Sequence, residues 1–468
     1  MRPLIEARAP QAGFLAKFCR RFLSGRTLFL GACAFAGGAA AAEIARATTE
    51  KQNPYHLVGQ LGRVLVRIEN EYVDPVDRAR LVEGAIKGMV AELDPHSSYL
   101  PAEDYTRFQE DTEGRFGGIG VEVDFTTDYV TVIAPIEGSP AEQAGIRPGD
   151  RILAIDNQSV RGRSPVDLVR SMRGEPGSKV LITVRRDSVD RFLYFTLERR
   201  IITVSSVASR LLSGGIAYVR IKTFQSGTHA EFLEHVGQLR MQAKGPLRGV
   251  LLDLRNNPGG LVNEASAIAD ELLPGGVIFT TRRRGRIVDE VRADDGGALR
   301  RGTAVVLVNE FSASASELVA GALRDNRRAL VVGAPTFGKG SVQSIEDLPG
   351  GAGLRLTTLR YYTPNGTAIQ AHGVTPDLVI GAAPGSYGIV REKNLENHLA
   401  PVEGSLEQRV PAVIEVPADA DGGGPRTTED VDHGVAREIP EDPRTGVDQA
   451  LKAAYEIAIG ARKIEASP

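Results

Sequence analysis

Residues 309–317 read Asn-Glu-Phe-Ser-Ala-Ser-Ala-Ser-Glu. An apolar run at 304–308 precedes them and a helical pattern at 318–324 follows, so the pattern predicts a strand, a tight turn and a helix. The N-terminus of a helix presents unpaired N–H groups and favours negative charge, which suits a serine nucleophile. Serine is also a preferred helix cap, so capping by Ser312 or Ser316 is the alternative interpretation.

The same strand and helix belong to an alternating pattern that runs from about residue 200 to residue 332. The predicted strands lie at 216–221, 249–254, 304–308 and 329–332, and the predicted helices at 230–241, 263–272 and 316–324. This alternation is typical of an α/β core. Between two of these elements, residues 253–260 read Asp-Leu-Arg-Asn-Asn-Pro-Gly-Gly. The glycines allow close approach of the backbone to a ligand, although an ordinary strand-to-helix loop has a similar sequence.

A lysine follows the last predicted strand. Residues 333–340 read Gly-Ala-Pro-Thr-Phe-Gly-Lys-Gly and nearly spell a phosphate-binding loop. Gly340 stands where that motif needs Ser or Thr, and residues 341–345 alternate like a strand, so we do not favour a nucleotide-binding function. Burial beside Phe337 would lower the pKa of Lys339, and a neutral amine takes a proton from a serine. The alternative is a solvated surface lysine.

Two modules precede the core. Residues 50–112 have a helical pattern, in which Leu57, Leu61, Leu65 and Ile68 share a face. Residues 113–200 begin with a glycine-rich loop before an alternating strand, and the order of elements that follows resembles a PDZ domain. The resemblance implies that the C-terminus of a peptide adds as a strand and that loop amides hold its carboxylate. The predicted binding residues are Gly117, Gly118, Ile119, Gly120 and Val121. A simple hairpin turn is the alternative interpretation of this loop.

Composition limits the remaining classes. A net charge of −3 over 468 residues gives no global attraction to nucleic acid, and none is predicted as a partner. Both cysteines, Cys19 and Cys33, lie near the N-terminus, so the chain beyond them has no disulfide and no cysteine-based metal site. We predict no cofactor and no metal.

The two ends of the chain differ from its middle. Residues 1–42 combine basic residues with a short apolar run, which predicts a secretory signal peptide or, if uncleaved, an N-terminal anchor. We therefore expect an exported protein of the periplasm or cell envelope, with membrane tethering left open. Residues 385–445 lose hydrophobic periodicity and predict a flexible tail, whereas 446–468 regain helical spacing.

Five motifs together resemble those of the carboxyl-terminal processing peptidases, serine proteases with a Ser/Lys pair, over roughly residues 55–380. The motifs are Leu-Asp-Pro-His-Ser-Ser-Tyr-Leu at 93–100, Phe-Gly-Gly-Ile-Gly at 116–120, the segment 253–260, Ser312 to Glu317, and Pro-Thr-Phe-Gly-Lys-Gly at 335–340. The resemblance implies an α/β multidomain fold: an α/β protease core at 201–384 with an inserted PDZ domain and a helical N-terminal domain.

The resemblance also implies the roles of individual residues. Ser314 would be the nucleophile and Lys339 the general base, and Gln343, four residues on, would orient the lysine from the same face of a strand. The oxyanion would bind the amide of Ala315 and an amide of the Gly259-Gly260 turn. A regulatory role falls to Arg173, which would sense bound substrate.

We therefore predict a serine endopeptidase that recognises substrate C-termini and cleaves through an acyl-enzyme. Its partners would be proteins or peptides with exposed C-termini, and an adaptor protein and a homo-oligomer are left open. One alternative is a PDZ peptide-binding scaffold with an inactive protease domain. Another is a Ser-His-Asp hydrolase that uses His96 or His372.

Overall fold

The computed structural model describes residues 55–125, 129–381, 390–401, 411–415 and 439–460, which divide between two compact units, 1–86 and 87–468. The predicted leader, residues 1–42, lies outside the described residues. In the first unit, helix α1 (Tyr55–Glu71) is followed by the start of α2 (Arg78–Ala91). Leu57 and Leu61, expected on a shared apolar face, are exposed. None of the helices in the described ranges is both long enough and apolar enough to cross a bilayer.

The second unit begins with a short connecting segment that precedes the PDZ sheet. It consists of strand β1 (Ser98–Leu100), helix α3 (Ala102–Glu113) and strand β2 (Arg115–Gly118). The helix ends where Gly114 adopts a φ of 66°, a left-handed conformation that favours glycine. The chain reverses at Gly114 and continues directly into β2.

Residues 121–203 form a sheet with two helices, as the PDZ interpretation predicted. The elements are β3 (Val121–Phe125), β4 (Val130–Pro135), α4 (Pro140–Gln143), β5 (Arg151–Ile155), β6 (Gln158–Ser159), α5 (Pro165–Met172), β7 (Lys179–Arg185), β8 (Leu193–Glu198) and β9 (Arg200–Thr203). The sheet order is β3-β4-β5-β7-β8, with β6 paired to β5, while β9 pairs with β2. Strand β3 therefore lies at an edge of the sheet.

A seven-stranded sheet forms the protease core. From residue 207 onward, the elements in chain order are β10 (Val207–Leu212), β11 (Ile216–Ile221), α6 (Thr228–Ala243), β12 (Gly249–Asp253), α7 (Val262–Leu272), β13 (Gly276–Arg283), β14 (Arg286–Ala293), β15 (Thr303–Val308), α8 (Ala315–Asp325), β16 (Leu330–Gly333), β17 (Ser341–Asp347), β18 (Gly353–Tyr362), β19 (Leu378–Gly381), β20 (Ala412–Glu415) and α9 (Gln449–Ala458). The order of strands in the seven-stranded sheet is β10-β11-β12-β15-β16-β19-β20, antiparallel between β10 and β11 and parallel elsewhere.

Both faces of this sheet are covered, which explains why its strands are continuously apolar. Leu252 and Val306 belong to a core that includes side chains of α6, α7 and α8, whereas Leu251 and Leu307 belong to a second core with Tyr455 of α9. The C-terminal helix predicted at 446–468 is therefore part of the folded body. It covers the face opposite the other three helices.

A second, antiparallel sheet positions the segment that follows Lys339. Its order is β1-β18-β13-β14, with β17 also paired to β18. The long strand β18 contacts β1, β13 and β17, so it brings residues near 97 close to residues near 343. The sequence predicted only β17 of this sheet.

The tail predicted at 385–445 differs from expectation in the part that the structure describes. Residues 392–394 form a single 3₁₀ turn in which Glu392 is fully buried. Strand β20 adds to the edge of the central sheet beside β19. The hydrophobic pattern of this segment did not predict these contacts, because they depend on backbone pairing and a buried charge more than on an apolar face.

Candidate active site

The predicted nucleophile lies on a strained turn between β15 and α8. Ser314 immediately precedes the first residue of α8 and has φ 55° and ψ −116°, a conformation that a non-glycine residue rarely adopts. Ser312 fixes the turn, since its Oγ accepts from Asn309 N–H at 3.0 Å and donates to Leu254 O at 2.8 Å. Strain held by such contacts is typical of functional sites.

Glu317 joins this turn to the lysine loop. Its buried Oε2 accepts from the N–H groups of Ser314 at 2.7 Å and Lys339 at 2.9 Å. Its Oε1 accepts from Gly338 N–H at 2.7 Å and Thr336 Oγ1 at 2.5 Å. One carboxylate therefore binds the backbone of both predicted catalytic residues and fixes the two loops relative to each other.

The surroundings of Lys339 favour a neutral amine. Burial lowers the pKa of Lys339, and the guanidinium of Arg355 lowers it further, while the carboxylates of Glu392, Glu317 and Asp94 act in the opposite direction. The net shift is downward. A lysine with a lowered pKa can act as a general base because more of it is unprotonated near neutral pH.

Gln343 lies in β17, but its hydrogen bonds differ from those expected. Its Nε2 donates to Ser341 Oγ at 3.0 Å and to Thr357 Oγ1 at 3.2 Å. The same-face argument is wrong, because Lys339 precedes β17 and the strand has an irregular register between Val342 and Gln343. The orienting role of Gln343 stays a prediction.

The glycine turn approaches the nucleophile closely. Gly259 and Gly260 have φ angles of 104° and 136°, and a Cβ on Gly259 would lie 2.8 Å from Ser314 Cβ and 3.0 Å from Ala315 N. The N–H of Gly259 donates to Asn257 Oδ1 at 2.9 Å, whereas Gly260 is exposed. Since the N–H of Gly259 is already bonded, the N–H of Gly260 is the remaining candidate for an oxyanion donor beside Ala315, and this role stays a prediction.

The predicted peptide-binding loop is shorter than the sequence suggested. Gly117 and Gly118 belong to β2 and pair with β9, so they are part of a strand. Ile119 and Gly120 form the loop, in which the carbonyl groups accept from Ala141 and Ile136. Val121 then starts β3, an edge strand of the described sheet.

Arg173 directly follows α5. Its Nη1 pairs with Asp111 Oδ1 at 3.0 Å, and its guanidinium lies 4.1 Å from the ring centre of Phe116. It thus joins the PDZ sheet to α3 and β2. The regulatory role of Arg173 stays a prediction.

The two candidate histidines have other partners. His96 Nε2 lies 2.7 Å from Glu392 Oε2, and the exposed His372 has its Nδ1 3.0 Å from Gln370 O. Neither histidine hydrogen-bonds to Ser314 within the ranges that the structure describes. This arrangement gives no support to a Ser-His-Asp triad.

Sequence reasoning missed four side chains that build the site. Glu317 lies in the helix predicted at 316–324, and its position three residues after Ser314 is a capping-box spacing. Asn257 and Thr336 lie inside recognised motifs, but nothing in the neighbouring sequence predicts the contacts of their side chains. Glu392 lies in a polar segment that offers no pattern at all.

The ionisation of Glu317 predicts an acid limit to activity. Burial raises the pKa of Glu317 to about 7, opposed by the hydrogen bonds that it accepts. Four donors face its two oxygens, so protonation must break at least one of these contacts. We expect kcat/KM for a fluorogenic peptide to fall reversibly as the pH falls through about 7.

The variant Glu317→Gln separates this ionisation from that of Lys339. Its amide group cannot ionise and turns an N–H donor toward other donors. The part of the acid limb that Glu317 causes should therefore vanish, which leaves only the fall due to protonation of Lys339, and kcat/KM should drop about a hundredfold. Glu346→Gln, on an exposed residue of β17, is the matched control. An acid limb in Glu317→Gln as steep as that of the parent protein would belong to another group.

Three family models match separate parts of the chain. A model described as peptidase family S41 matches residues 215–380. A PDZ domain model matches 131–186, and a model of the N-terminal domain of the activating protease CtpB matches 28–104. The S41 match contains the turn with Ser314 and the loop with Lys339.

Named relatives agree with these matches. The carboxy-terminal-processing protease of Bartonella bacilliformis is 41% identical over 338 residues, which are 71% of this chain and 77% of that protein. A probable CtpA-like serine protease of Staphylococcus aureus is 37% identical over 317 residues, 67% of this chain and 62% of its own, so the chain spans less than two thirds of that relative. The solved photosystem II D1 C-terminal processing protease is 33% identical, covers 67% of this chain and 85% of its own, and has a TM-score of 0.43.

Proposed function

Because this chain belongs to the carboxy-terminal-processing proteases of peptidase family S41, we propose that Ser314 is its nucleophile and Lys339 its general base. The chain is a serine peptidase with a PDZ domain. The contact that carries the residue assignment is the Glu317 carboxylate, which binds the backbone N–H of both Ser314 and Lys339. This bridge fixes the turn with Ser314 relative to the loop with Lys339, as a nucleophile and its base require.

The chemistry follows from these positions. Neutral Lys339 takes the proton of Ser314 as its Oγ attacks the substrate carbonyl, and the developing oxyanion binds the N–H groups of Ala315 and Gly260. Protonated Lys339 then gives its proton to the leaving amine. Water attacks the resulting ester with Lys339 again as base, which releases the acyl product and restores Ser314.

Substrate capture takes place on the PDZ sheet. Strand β3 lies at an edge of the PDZ sheet, where strand addition takes place, and the two-residue loop Ile119-Gly120 precedes it. A peptide C-terminus that pairs with β3 would place its carboxylate at the N–H groups of this loop. The substrate class is therefore proteins or peptides with an exposed, extended C-terminus.

A matched pair of substrates tests this capture. We expect a peptide with a C-terminal amide to have a KM about tenfold higher than the same peptide with a free carboxylate, since it loses a charge-assisted hydrogen bond. The kcat should change little because the scissile bond is unchanged. The measurement is steady-state cleavage of both peptides over a range of concentrations.

A control separates capture from chemistry. A small fluorophosphonate probe has no C-terminus, so it reports the reactivity of Ser314 apart from capture. A labelling rate that stays the same when a free-carboxylate peptide occupies only the PDZ domain would count against the sensing role of Arg173. Equal KM values for the two substrates would contradict recognition of the carboxylate by the PDZ domain.

We also propose that the protein is exported and acts in the periplasm or cell envelope, because residues 1–42 have the pattern of a secretory signal or anchor. An adaptor protein and a homo-oligomer are compatible with this location. Mass spectrometry of the protein recovered from fractionated cells tests the proposal. A full-length N-terminus in the cytoplasmic fraction would contradict export.

A further inference from the structure

A buried acid outside the matched S41 region contacts the base loop, the segment 337–340 that carries Lys339. Glu392 begins the single 3₁₀ turn at 392–394, twelve residues after the S41 match ends at residue 380, and its side chain is fully buried. A buried carboxylate is costly unless hydrogen bonds and charges compensate it. Its partners therefore indicate what it stabilises.

One set of contacts holds the loop that carries Lys339. Glu392 Oε1 accepts from Gln370 Nε2 at 2.7 Å, and Gln370 Oε1 accepts from Gly340 N–H at 3.0 Å. The N–H of Glu392 donates to Phe337 O at 3.3 Å. The loop is thus bound on both sides of Lys339, at residues 337 and 340, by contacts that depend on Glu392.

The other carboxylate oxygen binds the N-terminal part of the second unit. Glu392 Oε2 lies 2.7 Å from His96 Nε2, and His96 N–H donates to Asp94 Oδ1 at 2.9 Å. The carbonyl of His96 accepts from Arg355 Nε at 2.9 Å. Three distant segments therefore converge next to the base loop.

The charged groups around Lys339 are Arg355 on β18, Glu317 on α8, Asp94 before β1, and Glu392. Those that face Glu392 itself are His96 and, through the loop, Lys339. Without the negative charge of Glu392, the positive charge of Arg355 acts on Lys339 with less compensation, so the protonated form of Lys339 loses stabilisation. A lower pKa of Lys339 is therefore the measurable effect of removing the Glu392 charge.

We propose that Glu392 is a positioning residue for Lys339: through Gln370 it fixes the 337–340 loop, and it places a negative charge near the base amine. The inference rests on the proposed function, because it assigns Glu392 a task only if Lys339 is the base. It also extends the site beyond the S41 match, into a segment whose composition indicated a tail.

Three variants test geometry and charge separately. Glu392→Ala removes the side-chain hydrogen bonds and the charge and keeps the backbone bond to Phe337. Glu392→Gln removes the charge, keeps an oxygen acceptor for Gln370 and places an amide nitrogen opposite His96. Glu396→Gln is the matched control, since residue 396 lies exposed in the same segment. For each variant, kcat and KM are measured from pH 5 to 10, together with thermal unfolding and the pH dependence of fluorophosphonate labelling.

We expect Glu392→Ala to lower kcat about tenfold or more with little change in KM. Glu392→Gln should recover most of that kcat, while the alkaline rise of both kcat/KM and labelling moves to lower pH. Glu396→Gln should match the parent protein. An unmoved rise in Glu392→Gln would overturn the inference, as would a folded Glu392→Ala with unchanged kcat.

Lys339→Met, assayed in parallel, distinguishes failure of this inference from failure of the proposed function. If Lys339→Met keeps its activity, the base assignment itself is wrong. If Lys339→Met is inactive and the rise in Glu392→Gln does not move, only the role of Glu392 is wrong. Should Glu392→Ala fail to fold, the Glu392→Gln profile alone decides.

Discussion

Replacement of Ser314 by alanine is expected to lower kcat/KM for peptide cleavage by about a millionfold, because loss of a covalent nucleophile removes the acyl-enzyme route. Binding of a free-carboxylate peptide to the PDZ domain should be unchanged. Steady-state kinetics and fluorescence anisotropy with the same labelled peptide measure the two quantities. Parent activity that equals that of Ser314→Ala would favour the alternative of an inactive peptide-binding scaffold.

Ser312→Ala provides the comparison within the same turn. Its hydroxyl bonds Asn309 N–H and Leu254 O and so supports the turn without facing substrate. We expect a lower unfolding temperature and a loss in kcat/KM of at most about tenfold per folded molecule. A loss as large as that of Ser314→Ala would mean that the nucleophile has been assigned to the wrong serine.

The second large effect concerns Lys339. Lys339→Met removes the amine while it keeps an unbranched apolar side chain, and Lys339→Arg keeps a charge that is not lost in proteins. Both should lower kcat/KM about ten-thousandfold, because neither can accept the proton of Ser314. The parent enzyme should gain activity as the pH rises and level off below the ordinary pKa of lysine, since burial and Arg355 lower the pKa of Lys339.

A histidine control distinguishes the Ser/Lys mechanism from a Ser-His-Asp hydrolase. His372 is exposed and the Nδ1 of its side chain lies 3.0 Å from the nearby Gln370 O, so His372→Ala should retain near-normal kcat/KM. Near-normal turnover by Lys339→Met, or a profile that stays flat from mildly acidic to alkaline pH, would contradict a lysine base.

Two buried acids hold the base loop from opposite directions in sequence. Glu317 binds it from the helix that follows Ser314, and Glu392 binds it from the C-terminal segment. Both carboxylates raise the pKa of Lys339, so loss of either charge should move the alkaline rise to lower pH. Only loss of the Glu317 carboxylate should also remove the additional fall in activity below a pH of about 7, and this difference distinguishes the two sets of variants.

Local sequence patterns were sufficient to predict most of the core elements. The helix expected at 316–324 spans Ala315–Asp325, and the strand expected at 304–308 spans Thr303–Val308. The helix expected at 263–272 spans Val262–Leu272, and the strand expected at 249–254 spans Gly249–Asp253. These elements have strong periodicity and clear caps or turns, which depend on neighbouring residues alone. The antiparallel sheet of β13, β14 and β18 was missed because its strands are only half-buried and alternate weakly.

The sequence alone determined the family, the α/β core and the identity of Ser314 and Lys339 as candidates, because short motifs and periodic patterns carry that information. Only the tertiary structure decided that Glu317 joins their loops, that Gly259 donates to Asn257 and that Gln343 bonds Thr357. It also placed Glu392 against His96, 296 residues away. Such contacts join segments that meet only when the sheets assemble, and a buried carboxylate gains its partners from the fold and not from its neighbours in the chain.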